Sequence, residues 1–335
     1  MMHVAKGFVQ KLQAEKNCRD KCFDPEWSNP LKFRFMKRTL LLGWLLIASS
    51  ASMLAQEAKR PAITGIAFAR FYTTDPTGAQ KFYGNTMGFQ RHEVGGEWLY
   101  PVNRSQWIEV VPSTPPKENV RMAAVAFTTR DAPALERYLS AHGIKAEQPL
   151  KAGMFGVRDP EGNLVIFVQT GSDKLVANAP PSPNATSGRI IHVGFIVQNR
   201  EKEDSFWQGV LGFKPYWHGG MTEQRTDWVS LQVPEGTDWL EYMLNVAPSP
   251  SLRQVGVMDH FSLGVAHMSD AVAALQRNKC EGANCTKTQD GRDGKVQLNL
   301  FDPDLTRVEY MEFTPSKEPC CSSFTGRHPN AEEDK

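Results

Sequence analysis

Two stretches, Ile190-Ile191-His192-Val193-Gly194-Phe195 and Met258-Asp259-His260-Phe261-Ser262-Leu263, decide how this chain is read. Each reads as a short strand with one histidine set into it, opening a copy of the same pattern. At a matching place downstream each is answered by a second strand-like run carrying one glutamate. These are Trp239-Leu240-Glu241-Tyr242-Met243 and Arg307-Val308-Glu309-Tyr310-Met311. The pattern is therefore one strand–helix–strands unit repeated.

Working outward, the repeat extends to both halves of the chain. A helix end recurs as Phe82-Tyr83-Gly84-Asn85-Thr86-Met87-Gly88-Phe89 and Phe206-Trp207-Gln208-Gly209-Val210-Leu211-Gly212-Phe213. The closing glycine suits a left-handed cap. A turn into a strand recurs at Asp159-Pro160 and Asp302-Pro303. An amphipathic helix over Ala132 to Leu139, after Asp131, is matched by Ala271 to Leu275, after Asp270. Runs at Trp98-Leu99-Tyr100, Trp228 to Leu231 and Val296 to Leu300 supply middle strands. The reading is α+β: four βαβββ units beginning near Ile63, Val120, Ile190 and Met258. They form two domains, 62–170 and 189–315, joined by a linker over 171–188 rich in Pro, Ser, Asn and Ala. The tail, 316–335, has no periodic signal and reads as an extended arm.

Strand alternation places Ile190, His192 and Gly194 on one face and Ile191, Val193 and Phe195 on the other. The same parity puts Glu241 and Glu309 on the inner face of their strands. A buried carboxylate without a partner costs several kcal/mol unless it pairs, protonates or meets a cation. Any one of the four residues alone reads as a solvated polar group on an open sheet. Two imidazoles and two carboxylates together are the donor set of one divalent metal: Zn, Ni, Mn or Fe(II). The expected ligands are His192, Glu241, His260 and Glu309. Asn299 shares a strand face with Gln297 and is placed beside the metal as a substrate contact. In the first half Glu109 occupies the place of Glu241, but Gly65, a residue near Arg121, and Ile166 stand at the other positions. That half is read as metal-free and Glu109 as non-catalytic. Arg225 and Arg307 are read as solvated surface residues.

These motifs resemble the vicinal oxygen chelate superfamily, which includes glyoxalase I, extradiol dioxygenases and bleomycin-resistance proteins. The run beginning at His192 is similar to the glyoxalase I signature, departing from it at Glu203 and Trp207. The Asp-Pro run ending at Glu309 is similar to the end of the extradiol signature. The resemblance implies curved sheets with the site on the concave face. It implies a lyase or isomerase of glyoxalase type, with Glu241 or Glu309 moving a proton, acting on a small molecule with neighbouring oxygens. Its alternatives are an extradiol ring-cleaving dioxygenase using His192, His260 and Glu309, and a non-catalytic small-molecule binding protein of the bleomycin-resistance type. Against the dioxygenase, Arg292 and Asn299 stand where that signature has a histidine and a tyrosine.

Composition bounds the rest. The chain has 335 residues, 41% of them hydrophobic, and a formal net charge of +1. It offers no basic run for nucleic acid. Met36-Lys37-Arg38, an apolar run from Thr39 to Ile47, and small residues to Ala55 form a secretory signal over 36–55. Cleavage is expected after Ala55, with Ala51 as the alternative, and the apolar run is short for a membrane span. Residues 1–35 are then a mis-called upstream extension, and the mature protein is exported, periplasmic or extracellular, without a membrane anchor. Of the six cysteines, Cys280, Cys285, Cys320 and Cys321 remain, an even count that suits disulfides in an oxidising compartment. Adjacent Cys320 and Cys321 are expected to take separate partners.

Overall fold

A computed structural model describes residues 59–117 and 120–331; the signal-like segment, residues 1–35, Cys18 and Cys22 lie outside the described residues. The first half supplies strands β1 (Ile63–Tyr72), β2 (His92–Val94), β3 (Glu97–Pro101), β4 (Trp107–Val111), β5 (Met122–Thr129), β6 (Gln148–Lys151), β7 (Met154–Arg158) and β8 (Leu164–Gln169). The second supplies β9 (Ile190–Ile196), β10 (Lys214–Gly219), β11 (Trp228–Gln232), β12 (Trp239–Met243), β13 (His260–Val265), β14 (Thr288–Asp290), β15 (Val296–Phe301) and β16 (Arg307–Glu312). Each set forms one curled eight-stranded sheet, ordered β2-β3-β4-β1-β5-β8-β7-β6 and β10-β11-β12-β9-β13-β16-β15-β14. The four expected βαβββ units are all present.

Within a unit the first and last strands lie side by side and parallel, as β9 with β12 and β13 with β16. Such a pairing needs a crossover, and a helix provides it. The crossovers are α1 (Pro76–Ala79), α2 (Ala132–Ala141), α4 (Arg200–Asp204) and α6 (Met268–Arg277). Asp75, Asp131 and Asn199 start three of them by accepting a backbone N–H from the first turn. The first and third continue as π-helical turns over Gln80–Thr86 and Ser205–Val210. Gly88 and Gly212 follow these turns with φ of 75° each, a conformation a side chain disfavours. Helix α6 begins at Met268, three residues ahead of the expected start, so Asp270 lies inside its first turn instead of capping it. A further helix, α5 (Leu252–Met258), opens with a capping box between Ser251 and Gln254 and absorbs Met258.

The main core lies where helices of one half meet the other half. Phe127 packs edge-on against Trp207 and Phe213, with ring centroids 5.5 and 5.2 Å apart, and Phe71 meets Phe261 at 5.6 Å. Burying each such ring contributes about 1.5–3 kcal/mol. Polar ties cross the same boundary: Tyr83 donates to Asp302 at 2.9 Å and Tyr138 to the Val210 carbonyl at 3.0 Å. The concave faces thus point away from the shared core, and they differ in kind. The first is apolar, filled by Phe68, Trp107, Ala124, Ala126 and Ile166. The second carries aromatic and ionisable residues.

Several expectations are corrected. A register shift between Ser262 and Leu263 makes Ile191 a bulge, so Ile191 joins the concave cluster while Ile190 enters the shared core. The first-half counterpart of His192 is Phe68, not Gly65: Phe68 pairs with Trp107 as His192 pairs with Trp239. The counterpart of His260 is Ala124, which pairs with Arg70 as His260 pairs with Gly194. Within segment 171–188, α3 (Lys174–Asn178), capped by Asp173, packs Val176 on the apolar concave face. Cys280 pairs with Cys285, and Cys320 with Cys321, so the adjacent cysteines do not take separate partners. Cys280 and Cys285 have Cα atoms 5.9 Å apart within one loop, which closes them locally and leaves the adjacent pair to each other. The tail is docked as well as extended. Phe324 packs on Tyr216, and His328 Nδ1 lies 2.6 Å from the Tyr216 hydroxyl.

Candidate metal centre

The four ionisable residues singled out in the sequence lie on the four central strands of the second sheet. His192 faces Ser262 across β9 and β13, and Ser262 faces Glu309 on β16. Gly194 lies between His260 and Glu241 in the same ladder. A Cβ at Gly194 would sit 2.2 Å from His260 Cε1. The absence of a side chain there is what lets the His260 ring lie flat on the sheet.

The donor atoms converge. His192 Nε2 is 3.0 Å from His260 Nε2 and 3.3 Å from Glu309 Oε2, and His260 Nε2 is 3.6 Å from Glu241 Oε2. Two ligand atoms each about 2.1 Å from one ion and at right angles lie about 3.0 Å apart, so the imidazole spacing fits a shared cation. One donor atom from each of His192, Glu241 and His260 can be chosen so that all three lie within 4.8 Å of one another. Glu309 joins them through His192. The His260 tautomer is fixed from behind: Nδ1 lies 2.7 Å from the Met258 carbonyl oxygen, so it carries the proton and Nε2 keeps a lone pair for the site.

Burial sets the charges. Both imidazoles are fully buried, which holds their pKa below the ordinary value and keeps them neutral; for His260 the Arg307 charge adds to this. Burial, with the Glu309 charge beside it, pushes Glu241 up to about 8. For Glu309 burial acts upward too, but Arg307 and His192 overcome it and its carboxyl stays below the usual range. The two glutamates therefore differ: near neutrality Glu241 holds a proton and Glu309 is an anion.

Arg307, read from sequence as a surface residue, belongs to this site. Its Nη2 donates to His260 Nε2 at 2.8 Å and its Nη1 lies 3.6 Å from Glu309 Oε1. Arg225, by contrast, is exposed and pairs with Asp227. Asn299 on β15 sits opposite Glu309 in the sheet register. Lys295 and Ser262 also reach this face; Lys295 shares the parity of Gln297 and Asn299, Ser262 that of His260, and Arg307 that of Glu309. His192 Nδ1, Ser262 Oγ, Lys295 Nζ, Asn299 Oδ1 and Arg307 Nε are all buried without a hydrogen-bond partner among the described residues. Buried polar atoms are paired as a rule, so five orphans around one donor cluster fit a face built to receive a polar guest. The first half offers the contrast. Glu109 is tied to Arg70 and accepts from Trp107 Nε1 at 2.7 Å, among apolar neighbours.

A family model described as the Glyoxalase/Bleomycin resistance protein/Dioxygenase superfamily matches residues 65–167 and 189–310, the two halves just described. The chain belongs to this superfamily. No curated protein matches it. Solved structures similar to this superfamily member include the Mn(II)-bound glyoxalase from Novosphingobium aromaticivorans, at 14% identity and a TM-score of 0.58, covering 82% of this chain and 90% of that one. A variant homoprotocatechuate 2,3-dioxygenase from B. fuscum matches at 16% identity and a TM-score of 0.55, covering 83% and 76%. The homoprotocatechuate 2,3-dioxygenase from Arthrobacter globiformis matches at 15% and 0.54, covering 78% and 84%. At these identities the likeness establishes the tandem fold.

Proposed function

We propose that the second half is a metal-dependent active site in which His192, His260, Glu241 and Glu309 hold one divalent ion, Zn, Ni, Mn or Fe(II). The reaction is of lyase or isomerase type on a small molecule with two neighbouring oxygens. The observation that carries this is the pair of imidazole Nε2 atoms 3.0 Å apart, with Glu309 3.3 Å from that of His192 and Glu241 3.6 Å from that of His260. The Mn(II) named for the glyoxalase relative agrees with it. When bound, the ion supplies a Lewis acid that stabilises negative charge developing on the substrate oxygens. The remaining work falls to the chain. Glu241 Oε2 accepts and returns the proton on the carbon beside the carbonyl, because its carboxyl is held loosely, by Ser230 at 3.4 Å and His260 at 3.6 Å, whereas Arg307 and His192 pin Glu309 as an anion. Ser230 Oγ, 3.4 Å from Glu241 Oε1, orients that carboxyl. Asn299 hydrogen-bonds the substrate through its unpartnered Oδ1. Trp239, Trp217 and Phe324 exclude water.

The second reading is an extradiol-type ring-cleaving dioxygenase. It is favoured by the same charge difference, which leaves the neutral imidazoles of His192 and His260 and the ionised Glu309 as the donor set of a facial triad. One experiment separates the two. Chelator-stripped protein is reloaded with each metal, then assayed for solvent-deuterium exchange into 2-hydroxy ketones and for dioxygen uptake with catechols. The first reading expects exchange in the wild type and none in Glu241→Gln. Dioxygen uptake that survives Glu241→Gln moves the assignment to the second reading. Neither activity in a metal-loaded protein rejects both.

We also infer export to the periplasm or beyond after cleavage at Ala55. The two disulfides support an oxidising compartment. N-terminal sequencing of protein from a cell fraction tests it, and a cytoplasmic protein beginning at Met1 would reject it.

A further inference from the structure

Lys295 is not used by the chemistry above, yet it is the most costly residue of the concave face. Its side chain is fully buried and its Nζ makes no hydrogen bond among the described residues. Three rings surround it: Trp239 at 4.6 Å, Phe324 at 5.4 Å and Tyr216 at 5.9 Å from Nζ to the centroid. The π faces offset part of the loss of water around an ammonium, but no ring replaces a hydrogen-bond acceptor. Asp293, the nearest acidic neighbour in sequence, spends Oδ1 on the Lys295 backbone N–H and on Gln297 instead of on Nζ. Lysines are almost never fully buried without a partner.

The cage adjoins the donor cluster. The Trp239 indole has its centroid 4.8 Å from that of the His192 ring, so His192 and Lys295 share it as a wall. A fully buried ammonium without an acceptor lacks the anion that would satisfy it. The flat aromatic walls around Nζ suit a planar oxyanion entering between them.

We propose that Lys295 is the specificity-determining residue of this site, and that the substrate carries a carboxylate which Nζ receives in the cage of Trp239, Tyr216 and Phe324. The neighbouring-oxygen part of that substrate rests on the metal reading above; the carboxylate part rests on Lys295 alone. Phe324 comes from the docked tail, so this segment completes the subsite.

The probes are benzoate and its neutral isostere benzamide. Each is titrated calorimetrically into wild-type, Lys295→Met and Lys295→Arg proteins, both chelator-stripped and Mn(II)-loaded. In the stripped wild type benzoate binds at least about tenfold more tightly than benzamide, the worth of one charge-assisted hydrogen bond. The gap closes in Lys295→Met and survives in part in Lys295→Arg, whose retained charge also guards against mistaking misfolding for lost recognition. Equal binding of the two probes, binding of neither, or a gap that persists in Lys295→Met overturns the proposal. Metal content is read from the same samples. A wild type that takes up no Mn(II) but prefers benzoate defeats the metal reading and leaves Lys295 as an anion site. Mn(II) uptake without the preference does the reverse.

Discussion

Metal uptake by this protein should release close to one proton, and the proton should come from Glu241. Burial and Glu309 raise that carboxyl to about 8 in the metal-free chain, while Glu309 is already ionised and both imidazoles are neutral. At pH 7 a group of that pKa is about nine-tenths protonated, so binding releases about 0.9 proton; at pH 9 it releases about 0.1. The linked affinity falls about tenfold for each pH unit below 8, about 1.4 kcal/mol per unit. The measurement is calorimetric titration of stripped protein with Mn(II) at pH 7 and 9, in two buffers of different ionisation enthalpy. Glu241→Gln has no such proton, so its titration at pH 7 should be independent of buffer and its affinity flat between pH 7 and 9. Tight binding at pH 7 without proton release, or the same release from Glu241→Gln, refutes the charge assignment.

Three further outcomes follow from single contacts. Gly194→Ala puts a Cβ 2.2 Å from His260 Cε1, so the ring must leave; Mn(II) affinity should fall by about 100-fold, as for losing a ligand's support, and an unchanged titration would remove His260 from the site. Arg307→Met frees the His260 Nε2 lone pair that the guanidinium now holds at 2.8 Å, so Mn(II) should bind about tenfold more tightly; weaker binding would mean that Arg307 orders Glu309 instead of competing with the ion. Glu203, buried beside Asp159, has its carboxyl raised to about 8 by burial. A raised acid favours folding below its unfolded pKa and loses that contribution as pH climbs through the folded one. The wild-type Tm should therefore fall more steeply than that of Glu203→Gln between pH 4.5 and 8, as scanning calorimetry of the two proteins would read. Parallel curves would show that Glu203 ionises freely in the fold.

Much of this was legible in the chain because strands repeat every two residues. Parity alone brought His192, Glu241, His260, Glu309 and Asn299 to one face, and the helix-end glycines marked the crossovers. The same rule would have found Lys295, Ser262 and Arg307, which share a parity with residues already chosen. Parity alone does not single them out as site residues, because a lone cation or hydroxyl in a strand usually meets water. The bulge at Ile191 left no mark in the residue types, since isoleucine fits either face. Counting from the strand start sets Gly65 against His192 and slips the register, because β1 is ten residues long and β9 only seven. The docked tail depends on contacts between distant segments that no local pattern encodes, as Phe324 on Tyr216 shows.

One cation shared by the four central strands is the core of the site, and metal content tests it most directly. Elemental analysis of purified wild type, His192→Ala, His260→Ala and Glu109→Ala should find one equivalent of metal in the wild type and in Glu109→Ala, where the carboxylate serves Arg70 and Trp107. The two histidine variants should retain none. Equal metal in all four proteins, or none in the wild type after loading, contradicts the centre.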